Sequence, residues 1–519
     1  MSSMPSTGVH LCIIQPLGYV HSMALLDAAF YFRHRLEQLG ALVTIAKNRL
    51  RRDAPNLVFG AHLGFDPTIR QNFPCIFVNL EQLGDGGSRL PPAYLELLRG
   101  SPVIDYDAAN CHAYTDRPDK VPLICFGYAP YLPAASAPAL SQRPIDLLFF
   151  GSMNERRKQL IERIEKTGRC VTVFDGPVYG PERDAFIMQS RAVLNCHFYE
   201  SARFEQVRAF HVLSLGTPVV SERTERTLPS AAFEQSISWF TDQTLEEFFS
   251  QEYSQEEFLT RSAVQLEYFR NSKPAGEFER ALSFARTVFA TARSVDGSAP
   301  LAQRLLHIGS GKDYRPGWLN IDVLDSAQPD LRLDLCQPQT WPAHFESPFW
   351  GSLQLHPGAT DLIYANNVLE HVPDLPRMMR NCLDLLRCGG LMVIEVPYEK
   401  GLSAWQDPTH VRAMNENSWL YYTDWFWYLG WFEHRFKLRE FKWLDANLAP
   451  SAQSSAAFMS VTLEKVPTTI AERMTARTMR PDFGGLLEPV GTPRLASGRS
   501  SFGAAFAQSM PTVREKSAA

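Results

Sequence analysis

The stretch Leu305–Val323 reads LLHIGSGKDYRPGWLNIDV. Gly309 and Gly311 directly follow an apolar run, and residues without a Cβ let a backbone turn sharply and come close to a ligand. A helix after such a turn would present free N–H groups. The next apolar run ends at Asp322, a carboxylate placed to accept hydrogen bonds from a ribose diol. A glycine turn paired with an acid at the next strand end is the logic of dinucleotide sites. A third run, LRLDL, places Asp334 at another strand end, suited to contact near an adenine amine. The third glycine of the pattern is absent, with Asp313 in its region, and a G-x-G pair alone is equally a plain strand–turn.

These residues need elements to hold them. Residues 11–130 alternate short apolar runs (HLCIIQPLG, ALVTIA, NLVFGAH, PCIFVNLEQ, SPVIDYD) with helical periodicity in MALLDAAFYFRHRLEQLG. Strands separated by helices predict a parallel sheet. A Pro/Ala/Ser-rich linker, Leu132–Pro144, follows. A second series runs IDLLFFGS, ERRKQLIERIEKTG, CVTVFDG, AVLNCHFYE, EQVRAFHVLSLG and TPVVSE, closed by mostly helical residues 243–292. A second linker, Ser294–Pro300, leads into a third αβ unit reaching about residue 465. The expected division is 1–135, 145–292 and 300–465, with 466–519 a disordered tail because it lacks periodicity.

A chain of 519 residues exceeds one ordinary core. A net charge of −5 without a dense basic stripe argues against a nucleic-acid partner. The nine cysteines are scattered, with no C-x-x-C pair, so neither a disulfide framework nor a metal site is expected. The first residues lack a basic, then apolar, leader, and no window reaches membrane-spanning length. The expected setting is cytoplasmic, with no integral membrane segment.

The pieces HIGSG, NID, DLIYANNVLEHV and LLRCGGLMVIEVP, between Leu305 and Pro397, resemble class I S-adenosylmethionine-dependent methyltransferases. The resemblance implies that Gly309, Ser310 and Gly311 cradle the methionine part of the cofactor and that Asp322 holds the ribose. It implies that Asp334 and Leu335 border the adenine and that Asn366 lies beside the methyl donor. Two positions depart from the family: His307 stands where an acid is common, and Asp313 where the loop's third glycine falls. Methyl transfer to a sugar hydroxyl needs a base, for which His371 and His410 are candidates; each also reads as a helix-capping or structural histidine. Trp419–Phe432 is densely aromatic, as a lid, a sugar-stacking wall or ordinary core.

The segment Ala192–Glu222 gives a strand, a polar loop, a helix, an LGTP turn and a strand. It resembles the donor half of GT-B glycosyltransferases, especially the spore-maturation-type, group 1-like enzymes, and DLLFFGSMNERR resembles the start of that half. The resemblance covers about 145–290, and 10–130 by architecture only. It implies a nucleotide-sugar donor with Gly151 and Ser152 near its phosphates. Glu205 and Arg208 would lie near the donor, with Asn195 and His197 on the loop beside it. The alternative for Glu205 and Arg208 is a surface ion pair on a helix. Many relatives have a glutamate where this chain has His211. His62 and Glu81, at strand ends, would face the cleft as acceptor base or sugar contact, or merely form turns. Asp105–Asp107 (DYD) is equally an N-cap, and no metal is expected.

The combined expectation is an α/β protein: two Rossmann-like GT-B halves followed by a Rossmann-like methyltransferase domain. It would transfer a sugar from a nucleotide sugar to a glycan or glycoprotein acceptor and methylate a sugar hydroxyl with S-adenosylmethionine. The alternatives are a methyltransferase whose N-terminal region only binds a glycan or nucleotide, and a non-catalytic scaffold.

Overall fold

The computed structural model describes residues 8–487 except 72, 85–89, 134–136, 175, 200–201, 254–255, 273–276, 296–303, 316 and 348–349. The chain divides into two compact units. The first takes in the described residues of Met1–Asp334 and Gln339–Ala359, the second those of Leu335–Pro338 and Thr360–Ala519.

The first unit holds two wholly parallel five-stranded sheets. One is built from β1 (Val9–Ile13), β2 (Val43–Lys47), β3 (Asn56–Phe59), β4 (Cys75–Asn79) and β5 (Val103–Asp105), in the order β2-β1-β3-β4-β5. The other contains β6 (Ile145–Phe149), β7 (Val171–Val173), β8 (Ser190–Asn195), β9 (Val219–Glu222) and β10 (Ile237–Phe240), in the order β10-β9-β8-β6-β7. The apolar runs become strands because both faces of a parallel sheet are covered; β1, β3 and β4 are buried at every position.

The two sheets share one core. Phe126 and Phe210 stack at 4.7 Å and Tyr31 packs on both. The helix Glu277–Val295 returns to the helix Leu25–Gln38, with Phe278 edge-on to Phe32 at 5.0 Å. The expected linker Leu132–Pro144 is partly anchored. Arg143 is buried and donates to the carbonyls of Ser190 and Gly216 and to Thr217 Oγ1. Ser294 and Val295, expected in a linker, finish the helix, while the rest of that linker lies outside the described residues.

The division into units does not fall at residue 300. Three further parallel strands, β11 (Leu305–Ile308), β12 (Leu319–Asp322) and β13 (Leu331–Arg332), ordered β13-β12-β11, belong to the first unit. Polar and aromatic contacts tie them there. Arg49 donates to Gln328 Oε1 and the Ala327 carbonyl, and its guanidinium lies 4.7 Å from the Tyr314 ring. An antiparallel pair follows, β14 (Ala343–Ser347) with β15 (Gly351–Leu355).

The second unit contains β16 (Thr360–Asn366), β17 (Leu386–Pro397), β18 (His434–Leu444) and β19 (Phe458–Pro467), ordered β16-β17-β19-β18. β16 and β17 are parallel; β19 runs antiparallel to both its neighbours. The expected tail begins instead with order. A helix spans Ile470–Thr478, closed by a reciprocal Thr469–Glu472 capping box. Residues 488–519 lie outside the described residues.

Candidate functional site

After β11 the chain turns through Gly309 (φ 64°) and Gly311 (φ 45°), conformations that favour glycine. The expected helix after this turn is absent among the described residues. Gly311 is followed by a short loop into β12, and the loop is pinned rather than coiled. The Arg315 N–H donates to Asn320 Oδ1, and Tyr314 Oη–H donates to Asp330. With no helix start nearby, the turn meets the acid directly. The Gly311 N–H donates to Asp322 Oδ2 and the Leu324 N–H to Asp322 Oδ1, both at 2.9 Å. Each carboxylate oxygen therefore keeps a lone pair for a diol. Beside it, Ser310 is 2% exposed and its hydroxyl is buried without a hydrogen-bond partner. A buried orphan hydroxyl and a half-satisfied carboxylate at a glycine turn suit a ligand carrying both donors and acceptors.

His307 packs beside this loop, its Nε2 4.0 Å from Asp313 Oδ2. Its Nδ1 lies 3.0 Å from Asn320 Oδ1, and burial holds its pKa below the ordinary value. Asn320 in turn donates to Asp330 at 2.9 Å. Asp330 is fully buried, and burial raises its pKa although Asn320 and Tyr314 donate to it. Asp334 is half-buried and its carbonyl accepts from Gln339.

In the second unit, the Leu335 carbonyl accepts from Asn381 at 2.8 Å. Asn366 ends β16 and is half-buried. The chain beyond it passes through Asn367 in the left-handed region and a short 3-10 turn, Leu369–His371. There His371 and His410, the two candidate bases, meet edge to face at 4.7 Å. Glu370 joins them; it is 2% exposed and neither carboxylate oxygen has a hydrogen-bond partner. Burial pushes its pKa up to about 7. The aromatic stretch is chiefly core: Trp419, Tyr422, Phe426 and Trp431 are buried, while Tyr421 and Trp425 are exposed.

In the first unit, a cavity of about 730 Å³ opens between the two five-stranded sheets. Gly151, Ser152, Glu205 and Arg208 line it, and Glu81 does too. Arg208 Nη2 lies 2.9 Å from Glu205 Oε2, and Arg157 reaches Glu205 Oε1 at 3.3 Å. Burial opposes the Glu205 charge, but the two guanidinium groups outweigh it and lower its pKa. This is a cavity-wall pair, not a solvated helix pair.

Three expected residues sit behind that wall, outside the cavity lining. Asn195 is buried and accepts from Arg208 while donating to Ser221. His197 is buried, its backbone N–H bound to Glu222. His62 stands 3.7 Å from Glu81, with its pKa lowered by burial. The DYD acids are structural. Asp105 is buried and accepts from Asn79, Asn110 and Tyr114, and Asp107 caps the helix Ala108–Cys111.

Sequence reasoning missed Arg157, Arg183 and Asp27. Arg183 binds Asp27 through both terminal nitrogens, at 2.6 and 3.1 Å, and its Nη2 lies 2.8 Å from His211 Nε2. His211 also lies 2.8 Å from Asp184. In sequence these charges look like solvated helix faces. Their burial under a cavity is a tertiary property.

Residues 275–447 match the family model described as a methyltransferase domain. The chain thus carries a methyltransferase domain, for which S-adenosylmethionine is the supported cofactor. No curated protein matches the chain. Among solved structures, a putative methyltransferase in complex with the Trm112 activator of Haloferax volcanii is similar at 10% identity and TM-score 0.23, covering 35% of this chain and 89% of that one. A SAM-dependent methyltransferase from Archaeoglobus fulgidus is similar at 13% identity and TM-score 0.21, covering 34% and 93%. Another, from Mesorhizobium loti, stands at 14% and 0.21, covering 34% and 96%. Likeness at this level says nothing about substrate.

Proposed function

We propose that the region from Leu305 to about residue 465 methylates a hydroxyl, on a sugar or a related acceptor, with S-adenosylmethionine. The observation that carries the reading is the Gly311–Asp322 hydrogen bond beside the orphan Ser310 hydroxyl. When bound, the cofactor supplies an electrophilic methyl group on a sulfonium. Asp322 would hold its ribose through the free lone pairs of a fixed carboxylate. Gly309, Ser310 and Gly311 would hold the methionine part, with the Ser310 hydroxyl gaining a partner. Asp334 and Leu335 are assigned to the adenine and Asn366 to the neighbourhood of the methyl. An acceptor hydroxyl must lose its proton, and the His371–His410 pair beyond β16 is the group assigned to that step. Calorimetry of the full chain with S-adenosylmethionine tests the assignment. Binding that weakens in Asp322→Ala supports it, and a folded chain that binds none sinks it.

A second reading concerns the N-terminal cavity, because Arg157 and Arg208 there place two guanidinium groups against Gly151 and Glu205. We infer that it takes a nucleotide sugar, with these cations opposing the diphosphate charge, and that the protein joins glycosyl transfer to methylation on one glycan or glycoprotein acceptor. Glu81, with His62 behind it, would act on the acceptor side. A hydrolysis screen of UDP-, GDP- and dTDP-sugars is the test. Turnover unchanged in Glu205→Ala and Arg208→Ala would remove the cavity from the mechanism.

A further inference from the structure

Glu370, His371 and His410 are brought together although 38 residues separate the second and third of them. One donor atom from each lies within 4.8 Å of the others. The hydrogen bonds around the two rings decide their tautomers. His410 Nδ1 lies 2.9 Å from the Ala404 carbonyl, which only accepts, so Nδ1 carries the proton. Thr409 Oγ1 gives its single proton to Asp407 Oδ1 at 2.6 Å, so it must accept from His371 Nδ1–H at 2.9 Å. Both imidazoles therefore keep Nε2 as a lone-pair donor. The third member is a carboxylate that is 2% exposed with neither oxygen partnered.

We propose that Glu370, His371 and His410 bind one divalent transition cation. Metal-ligating histidines almost always anchor the remote N–H on a carbonyl or a carboxylate-linked group. Here Ala404 supplies the first kind of anchor and Thr409–Asp407 the second. Metal–ligand bonds of about 2.0–2.2 Å place opposed ligand atoms up to about 4.4 Å apart, so a spread within 4.8 Å needs only slight closure. Two imidazoles and one carboxylate suit zinc or iron(II) rather than the all-oxygen shells of calcium or magnesium. Three protein ligands leave positions for a substrate oxygen. A hydroxyl bound there would lose its proton to solvent more readily, the cation stabilising the alkoxide. Rings that ligate through Nε2 have no free nitrogen left, so with the cation bound it takes over the deprotonation step assigned above to the histidine pair. Only that last consequence rests on the methyl-transfer reading; binding itself does not.

The full-length chain, stripped with a chelator, is titrated with Zn²⁺ and with Co²⁺, reading bound zinc by elemental analysis and cobalt by its visible absorption. Zinc retention close to one ion per chain, with cobalt bands that zinc displaces, is expected. Glu370→Gln and His410→Ala should lose both signals. Thr409→Val, at an exposed position that should not disturb folding, should weaken affinity by roughly 10- to 100-fold. Zinc held equally by all three variants would overturn the site and point to the exposed thiols of Cys170 and Cys388. A wild-type chain that binds neither metal would overturn it as well. If the two ligand variants misfold, Thr409→Val decides: unchanged affinity there rejects the proposal.

Discussion

The backbone N–H of Gly311 donates to Asp322 Oδ2 at 2.9 Å. The glycine turn and the end of the neighbouring strand are thereby one object, so a change at either residue reaches the other. Asp322→Ala removes both the acceptor that fixes the turn and the charge proposed to face the ribose. Hydrogen bonds to charged groups contribute about 1.5–3 kcal/mol, so S-adenosylmethionine affinity should fall by roughly 10- to 100-fold. Asp322→Asn keeps an acceptor for Gly311 and should lose less. Calorimetry showing equal losses for the two variants would mean that the charge alone matters.

Gly151 and Arg208 make a second test. A Cβ at Gly151 would lie 3.0 Å from Arg208 Nη2, at a φ of 135° that side chains rarely adopt. If the cavity takes a nucleotide sugar as proposed, Gly151→Ala should displace the guanidinium and reduce its turnover, as Arg208→Ala should. The double variant should then be no worse than Arg208→Ala alone, because both changes act on one group. Additive losses in steady-state kinetics would separate the two residues.

Arg143 predicts a stability effect without a local role in catalysis. It is buried and satisfies four acceptors, the carbonyls of Pro138, Ser190 and Gly216 and the Thr217 hydroxyl. Each buried group left unpaired costs about 1–3 kcal/mol, so Arg143→Ala should destabilise the first unit by several kcal/mol. Denaturant unfolding would show this as a lower midpoint, with S-adenosylmethionine affinity at low denaturant unchanged.

His10 predicts the pH dependence of folding. Its Nε2 lies 2.9 Å from the Arg49 carbonyl and Nδ1 2.8 Å from Thr44 Oγ1, so the ring is satisfied while neutral. Burial lowers its pKa from 6.5 to about 4. The unfolded chain takes up the proton first as pH falls, so the contribution is intact above 6.5 and lost progressively down to about 4. The full loss is of order 3 kcal/mol. Urea midpoints for the wild type and His10→Gln should converge as the pH drops through that window; parallel curves would contradict it.

The strands were legible because their signal is local. HLCIIQPLG, NLVFGAH and PCIFVNLEQ are short apolar runs bounded by turn residues, and each is a buried parallel strand. Strand β10 and the 343–355 hairpin were not read, since SISWF and AHFES are short and mixed. The absent helix after Gly311 was not legible either. The loop's shape follows from Tyr314 reaching Asp330 and Arg315 reaching Asn320, partners found only after β12 and β13 align.

The sequence by itself determined the α/β class, the glycine turn with its acid, and the residue types available for chemistry, because strand periodicity and glycine conformations act over a few residues. Tertiary structure alone decided which charges are buried and which histidines meet. Arg157 and Arg183 became cavity groups, and His62 and His197 withdrew behind one. Glu370, adjacent to a candidate base yet unremarked, became a buried carboxylate facing two imidazoles. Burial and convergence sum contributions from segments far apart in the chain, and no local pattern encodes that sum.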